Sequence, residues 1–248
     1  MEQVIRTENV FRGFPLSSGQ KALTGSGKDE DASMFWALKD INIEVPKGRL
    51  TILKGRSGSG KTTLLNILSA LDVPTKGKVF LEDQEVSAMT DSERDRLRRV
   101  KVGYVYQSVA LIPMMSAYEN VEFALRLAKY EGDWKKRAEE CLHMVGLGGR
   151  MSHMPQEMSG GEQQRVAIAR AVAAKPAVLF ADEPTAELDT NTGLAVVKIF
   201  KDLCAEEKVS CIMTTHDTGL MDIGDAVFEI EDGIIIHRGI TPGEPGEA

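Results

Sequence analysis

Cysteine, aromatic residues and long apolar runs are all scarce in this chain. Its 248 residues include three cysteines (Cys141, Cys204 and Cys211), two tryptophans and four histidines, and aromatics make up 6%. Three cysteines without a CxxC spacing make neither a disulfide framework nor a zinc site, and a reducing compartment is their natural setting. The richest apolar stretch, Val166 to Ala181, is interrupted by Arg170, Lys175 and Pro176. It falls short of the roughly 18 uninterrupted apolar residues that a membrane span needs. Met1 to Val10 carries Glu2, Arg6 and Glu8 without an apolar centre, so no secretory signal is expected there. Work at a membrane would therefore depend on another chain for the spanning part. Basic residues are also in the minority, and the formal net charge is −7. Non-specific nucleic-acid binding relies on a basic surface that displaces counterions, so no nucleic-acid partner is expected. The basic run Arg94 to Lys101 reads as a solvated helix face.

What is present suits one large globular domain over residues 1–248, with 42% hydrophobic and 27% charged residues. Residues 17–33 are rich in Gly, Ser and charge and are expected to form a flexible loop. Gly25-Ser26-Gly27-Lys28 within it superficially resembles a phosphate loop, but Asp29 stands where a hydroxyl should be and no apolar strand precedes it. Ile41, Ile43 and Val45 alternate with Asn42 and Glu44, which predicts a half-buried strand. Leu50 to Leu53, Val79 to Leu81 and Val102 to Tyr106 read as strands, and Gly60 to Leu71 as a helix. Thr90-Asp91-Ser92-Glu93 and Ser116-Ala117-Tyr118-Glu119 are capping boxes, each opening a helix. Trp134 to Val145 is helical and closes on Gly146; Pro155 to Gly161 is a loop; Glu162 to Ala174 is a helix stopped at Lys175-Pro176. Ala177 to Ala181, Thr190 to Glu207 and Val209 to Thr214 follow as strand, helix and strand, with a short helix after Asp217. Val227 to Ile230 and Ile234 to His237 flank Asp232-Gly233, a hairpin signal. The tail, 241–248, is expected to be disordered. Alternating strands and helices imply an α/β fold with a largely parallel sheet covered on both faces. Residues 108–156, which lack a strong strand, read as an inserted helical subdomain.

The chemistry concentrates at Gly55-Arg56-Ser57-Gly58-Ser59-Gly60-Lys61-Thr62, which matches G-x-x-x-x-G-K-[ST] between an expected strand and an expected helix. The glycines let successive N–H groups turn toward one anion, and the helix N-terminus adds partial positive charge. Lys61 supplies a point charge for the β- and γ-phosphates and Thr62 a hydroxyl for Mg²⁺. Ala177 to Ala181 is an apolar strand ending in Asp182, from where a carboxylate reaches the metal; Glu183 follows and can polarise a water in line with the γ-phosphate. Ser159-Gly160-Gly161-Glu162-Gln163 opens another helix and offers a second anion site.

Taken together, these motifs resemble the nucleotide-binding subunit of an ABC transporter over about Ile5 to Gly239. Ser159 to Gln163, followed by Gln164-Arg165-Val166-Ala167-Ile168-Ala169-Arg170-Ala171, is similar to the family signature. The resemblance implies a P-loop NTPase core with a mostly parallel sheet, an N-terminal antiparallel β subdomain and an inserted α-helical subdomain. It implies ATP as substrate, bound by Gly55 to Thr62 and Thr63, with Mg²⁺ at Thr62, Asp182 and Gln107. Glu183 matches the catalytic base, Gln107 the glutamine that senses metal and water, and His216 the switch histidine. Ala186-Glu187-Leu188-Asp189 matches a loop that crosses the dimer interface. In the family two subunits dimerise head to tail, so Ser159, Gly160, Gly161, Glu162 and Asp189 of one would complete the ATP site of the other. An adenine-stacking aromatic is expected upstream of the phosphate loop, with Phe14 the choice and Trp36 the alternative. Met158, Glu162 and Glu187 depart from the commonest family residues, and none removes a catalytic group.

A finer resemblance rests on Leu71-Asp72-Val73-Pro74-Thr75-Lys76-Gly77, Tyr106-Gln107, Tyr118-Glu119-Asn120-Val121, Ser159 to Arg165 and Ala181-Asp182-Glu183-Pro184-Thr185. These look like the bacterial branch of lipoprotein-release, macrolide-export and antimicrobial-peptide-resistance ATPases. That branch implies a homodimer, an integral-membrane permease partner, and a place on the cytoplasmic face of the cell membrane. An importer ATPase and a soluble chromosome-maintenance ATPase are the alternatives. The latter often carry long coiled-coil or zinc insertions between the glutamine and signature regions, and the short interval from Gln107 to Ser159 has no heptads or zinc spacing.

Overall fold

The computed structural model describes residues 2–16 and 34–240. The loop expected at 17–33, with its Gly25 to Lys28 look-alike, and the tail expected at 241–248 lie outside the described residues. Among the described residues the strands form two sheets. The first is antiparallel: β1 (Gln3–Pro15) pairs with β2 (Met34–Ile41), β3 (Glu44–Pro46) and β5 (Lys76–Leu81), and β6 (Gln84–Glu85) lies outside β5. The second has the order β11 (Ile234–Ile240), β10 (Ala226–Glu231), β4 (Leu50–Lys54), β9 (Ser210–Thr215), β8 (Val178–Ala181), β7 (Val102–Val105). All its neighbours are parallel except the β10–β11 hairpin at the edge, which turns through Asp232-Gly233.

The central parallel strands β4, β8 and β9 are buried on both faces, as crossover helices require, while β7 and β10 alternate buried and half-buried residues. Leu50 and Ile52 of β4 join one apolar core and Leu53 the other. The second core lies beneath the antiparallel sheet and α1 (Lys61–Leu68), which contributes Leu64, Leu65, Ile67 and Leu68. The first is covered by α3 (Ala117–Ala128), α4 (Trp134–Met144), α5 (Gly160–Val172) and α6 (Thr190–Glu206); α2 (Asp91–Lys101) precedes β7. Residues Gly148–Arg150, Pro155–Glu157 and Thr218–Ile223 are short 3-10 segments. Among the described residues no helix is long and apolar enough to cross a membrane.

Several expected boundaries move. The Ile41–Val45 alternation does bury Ile41, Ile43 and Val45, but the strand breaks between β2 and β3. Asp40 has φ 51°, and the Asn42 side chain accepts from the Asn9 amide at 2.8 Å where a strand partner would otherwise stand. The helix after the phosphate loop ends at Leu68, before Leu71, because Ala70 enters the left-handed region (φ 61°) and Leu71 N–H folds back to Asn66 O. In the Pro155 to Gly161 stretch the chain makes a 3-10 turn and then α5 begins two residues earlier than expected, with Ser159 as its N-cap. Both other capping boxes are formed, at Thr90–Glu93 and Ser116–Glu119.

The helical region is tied to the core by Arg137, whose side chain is almost fully buried. It donates to Ala173 O at 3.1 Å and Val172 O at 3.3 Å, at the end of α5, and forks onto Glu207 just beyond α6 at 2.9 and 3.2 Å. One guanidinium thus joins the ends of three helices, satisfying Ala173 O and adding a second bond to Val172 O, which also accepts from Lys175 N–H.

Candidate nucleotide site

β4 delivers the chain to the phosphate loop at the carboxyl edge of the parallel sheet, where α/β folds place their ligands. The loop stays tight because two glycines have no room for a side chain. A Cβ on Gly55 would lie 2.4 Å from Ile230 O, and Gly60 has φ 107° with Ala37 O 2.8 Å from where its Cβ would be. The β10–β11 turn braces the loop further: Gly233 N–H donates to Ser59 O at 3.0 Å, and Lys39 N–H to Gly233 O at 2.8 Å.

Gly60 is the N-cap of α1, and neither a capping side chain nor an acidic first turn accompanies it. The first N–H groups of that helix are thereby left to an anion from outside the helix. Lys61 is only 5% exposed. Its Nζ donates to Gly55 O at 2.8 Å and Arg56 O at 3.1 Å and pairs with Glu183 Oε1 at 3.3 Å. A cavity of about 380 Å³ opens over it, lined by Phe14, Phe35, Ala37, Ser57, Gly58, Gly60, Lys61, Thr62, Thr63, Gln107 and Glu183.

The acidic side of the site comes from the end of β8. Thr62 Oγ1 donates to Asp182 Oδ1 at 3.2 Å, and Thr214 Oγ1 donates to the same oxygen at 2.7 Å. Thr214 Oγ1 also accepts from Glu183 N–H at 2.8 Å. Glu183 sits at φ 44°, a turn that swings its side chain away from Asp182 and toward Lys61. Its other oxygen, Oε2, meets His216 Nδ1 at 3.0 Å. The hydroxyl of Thr62 and the carboxylate of Asp182, close together beside a cavity suited to phosphate, are hard oxygen donors of the kind that Mg²⁺ takes.

The structure therefore brings the phosphate loop, Thr62, Thr63, Asp182, Glu183, Gln107 and His216 to one place. Thr214, which holds both acidic residues, is missed by the sequence reading; it lies two positions before His216 in Thr214-Thr215-His216. Of the two aromatic alternatives, Phe14 lines the cavity and Trp36 does not. Trp36 pairs across the strands with Gly13 and stands edge-on to Phe11, with centroids 6.0 Å apart. Phe35, the cross-strand partner of Phe14, completes the wall and is 58% exposed.

Ser159, Gly160, Gly161, Glu162 and Asp189 do not line this cavity. Ser159 and Glu162 close a reciprocal box at the start of α5: Glu162 N–H donates to Ser159 Oγ at 3.3 Å, and Ser159 N–H and Oγ–H donate to Glu162 Oε2 at 2.9 and 3.1 Å. The bond from the Ser159 amide holds the Glu162 carboxyl below its ordinary range. Asp189 caps α6, accepting from Asn191 and Thr192 N–H at 3.1 Å each; the Thr192 side chain first, and then these backbone bonds, lower its pKa too.

Residues 38–186 match the family model described as ABC transporter, and the chain belongs to that family as an ATP-binding protein. It is 41% identical over 240 residues to the lipoprotein-releasing system ATP-binding protein LolD of Aquifex aeolicus, covering 95% of this chain and 97% of that one. It is 40% identical to the macrolide export ATP-binding/permease protein MacB of Agrobacterium fabrum, over 95% of this chain and 34% of that longer protein. Among solved structures it superposes on the ATP-binding cassette MJ0796 of Methanocaldococcus jannaschii, a dimer in a post-hydrolysis state bound to ADP and Pi. That match has a TM-score of 0.81 at 35% identity, covering 97% of this chain and all of the other. The antiparallel β subdomain, mostly parallel core sheet and helical subdomain are those of an ABC ATPase.

Proposed function

We propose that this ATPase works as a homodimer on the cytoplasmic face of the cell membrane and powers an integral-membrane permease of an export or mechanotransmission system. The observation that carries this reading is the likeness over 95% of the chain to the lipoprotein-releasing ATP-binding protein of Aquifex aeolicus, reinforced by that to the macrolide exporter.

In this reading Lys61 exchanges its contact with Glu183 for the β- and γ-phosphate oxygens, and the N–H groups at the start of α1 take the remaining oxygens. Phe14 and Phe35 receive the adenine. Thr62 and Asp182, with Gln107, hold Mg²⁺, which supplies charge neutralisation for the phosphate oxygens when bound. Glu183 accepts the proton of a water whose oxygen bonds the γ-phosphorus while the bond to the β-bridging oxygen breaks. His216, in contact with Oε2, keeps that carboxylate aimed. Ser159 to Glu162 and Asp189 reach the nucleotide from the second copy, which is why one chain leaves them outside the cavity.

Purification of the chain from its native membranes in mild detergent, with mass-spectrometric identification of the bound integral protein, tests the proposal. The expected partner has few spans and a large extracytoplasmic domain. Recovery with a many-span permease and a solute-binding protein would replace it by an importer.

A further inference from the structure

Glu162 poses an electrostatic problem at the start of α5. A helix N-terminus carries about +0.5 of an elementary charge. A carboxylate held there by the capping box outweighs it, and the end becomes net negative. A negative end repels a phosphate, yet in the proposed function this same end must face the γ-phosphate held by a second copy. Three observations bear on how the conflict is resolved. Glu162 spends Oε2 on Ser159, and its other oxygen, Oε1, is met by Arg150 Nε at 3.3 Å. The guanidinium is steadied from its far side, where Arg150 Nη1 lies 3.0 Å from His153 Nε2. The 150–153 turn is itself pinned to another helix start: His153 O accepts from Ala117 N–H and Met151 O from Tyr118 N–H, both at 2.9 Å. Arg165, three residues on, reaches back so that its Nη1 lies 3.9 Å from where a Gly161 Cβ would be, and it acts on Glu162 through space without an ion pair.

We infer that Arg150 is a positioning residue for the phosphate-facing end of α5, cancelling the charge of Glu162 so that the Ser159-Gly160-Gly161 backbone presents a net positive end to the nucleotide of a second copy. With Arg150 in place the sum of helix end, carboxylate and guanidinium returns to about +0.5; without it only Arg165, which makes no ion pair with Glu162, opposes the carboxylate. The inference rests on the composite-site reading above.

The test uses the full-length chain carrying Glu183→Gln, so that ATP is bound but slowly hydrolysed. Light scattering reads the ATP concentration at which half the protein is dimeric. Arg150→Gln is expected to raise that midpoint about three- to tenfold, the scale of a half-exposed ion pair acting with a helix end. ATP affinity of the dilute monomer should not move. Adding Glu162→Gln, which keeps the capping box without the charge, should restore the midpoint, and Arg150→Lys should preserve it. Glu162→Gln alone should lower it. An unmoved midpoint in Arg150→Gln, even with a lowered melting temperature, overturns the inference. So does a double variant no better than Arg150→Gln, or a midpoint raised by Glu162→Gln alone. A Glu183→Gln parent that shows no ATP-dependent dimer overturns the composite-site reading itself, and the inference with it.

Discussion

Two helix starts in this molecule are built on opposite plans. α1 begins at a glycine with no capping side chain, no acidic residue in its first turn and a buried lysine as its first residue. α5 begins with a complete capping box, its serine and glutamate each satisfying the other's backbone N–H. The first leaves its N–H groups to a ligand, and the second has two of its own, those of Ser159 and Glu162, already taken by the box. The contrast assigns different work to the two ends. α1 gains the full value of an anion on its unpaired N–H groups and can bind nucleotide within one chain. At α5 the box occupies the Ser159 and Glu162 N–H groups, so a phosphate meets chiefly those of Gly160 and Gly161 and gains less there than at α1.

The largest expected effect sharpens this division at Glu183, whose two oxygens connect Lys61 and His216. Glu183→Gln should keep ATP binding and lose about 10² to 10⁴ in hydrolysis rate, the usual contribution of a positioned base. It should also run as an ATP-dependent dimer on size exclusion without a membrane partner. Hydrolysis within about threefold of the parent would assign proton acceptance to another group. Next comes Lys61→Ala, which disables the α1 end alone. Titration calorimetry should show Mg-ATP affinity down by about a hundredfold or more, from losing charge-assisted bonds to phosphate. A folded variant with parental affinity sinks the phosphate-loop assignment. Ser159→Ala disables the other end and should behave differently, costing about 1 kcal/mol of stability through the lost cap while monomer ATP affinity stays level. A denaturant melt and the same titration, run side by side, would break the comparison if both ends lost affinity equally.

The smallest effect is on acid stability. Backbone and side-chain hydrogen bonds from Thr90, Ser116 and Ser159 hold the carboxyls of Glu93, Glu119 and Glu162 below their ordinary value of 4.5. A carboxyl whose folded pKa is depressed stabilises the fold above its unfolded pKa, and that stability is lost as pH falls through the folded pKa. Replacing all three by Gln should therefore lower the melting temperature slightly at neutral pH, flatten its acid limb below about 4.5, and bring variant and parent together at the acid end. An acid limb identical to the parent's would show that these caps do not titrate with folding.

Local chemistry made much of this readable in advance. The phosphate loop, the Asp182-Glu183 pair and the capping boxes at Thr90 and Ser116 are each contained in a few consecutive residues, so their spacing states their geometry. What escaped depends on register. β1 shows no clean alternation because it pairs with three different strands and shifts register repeatedly, with Asn9 at φ 46°. Phe35 could not be placed beside Phe14 because the stretch 17–33 hides how the two strands align. Thr214 holds Asp182 and Glu183 only because β8 and β9 run side by side with Ala181 opposite Met213. Arg150 needed the turn before α5 to bring it back to Glu162.

The strand order of the larger sheet has a consequence for biosynthesis. β4, which carries the phosphate loop, is flanked by β9 and β10, with Leu50 opposite Cys211 and Thr51 opposite Ala226. Both neighbours are the last parallel strands to be made. At about 5–20 residues per second, the ribosome needs roughly 10–35 s after β4 to supply them. Through that interval the loop has no sheet to stand on, and the Gly233 brace on Ser59 does not yet exist. The phosphate loop therefore reaches its final support only once β9, β10 and the Asp232-Gly233 turn have been made, about 180 residues after the loop's own strand begins.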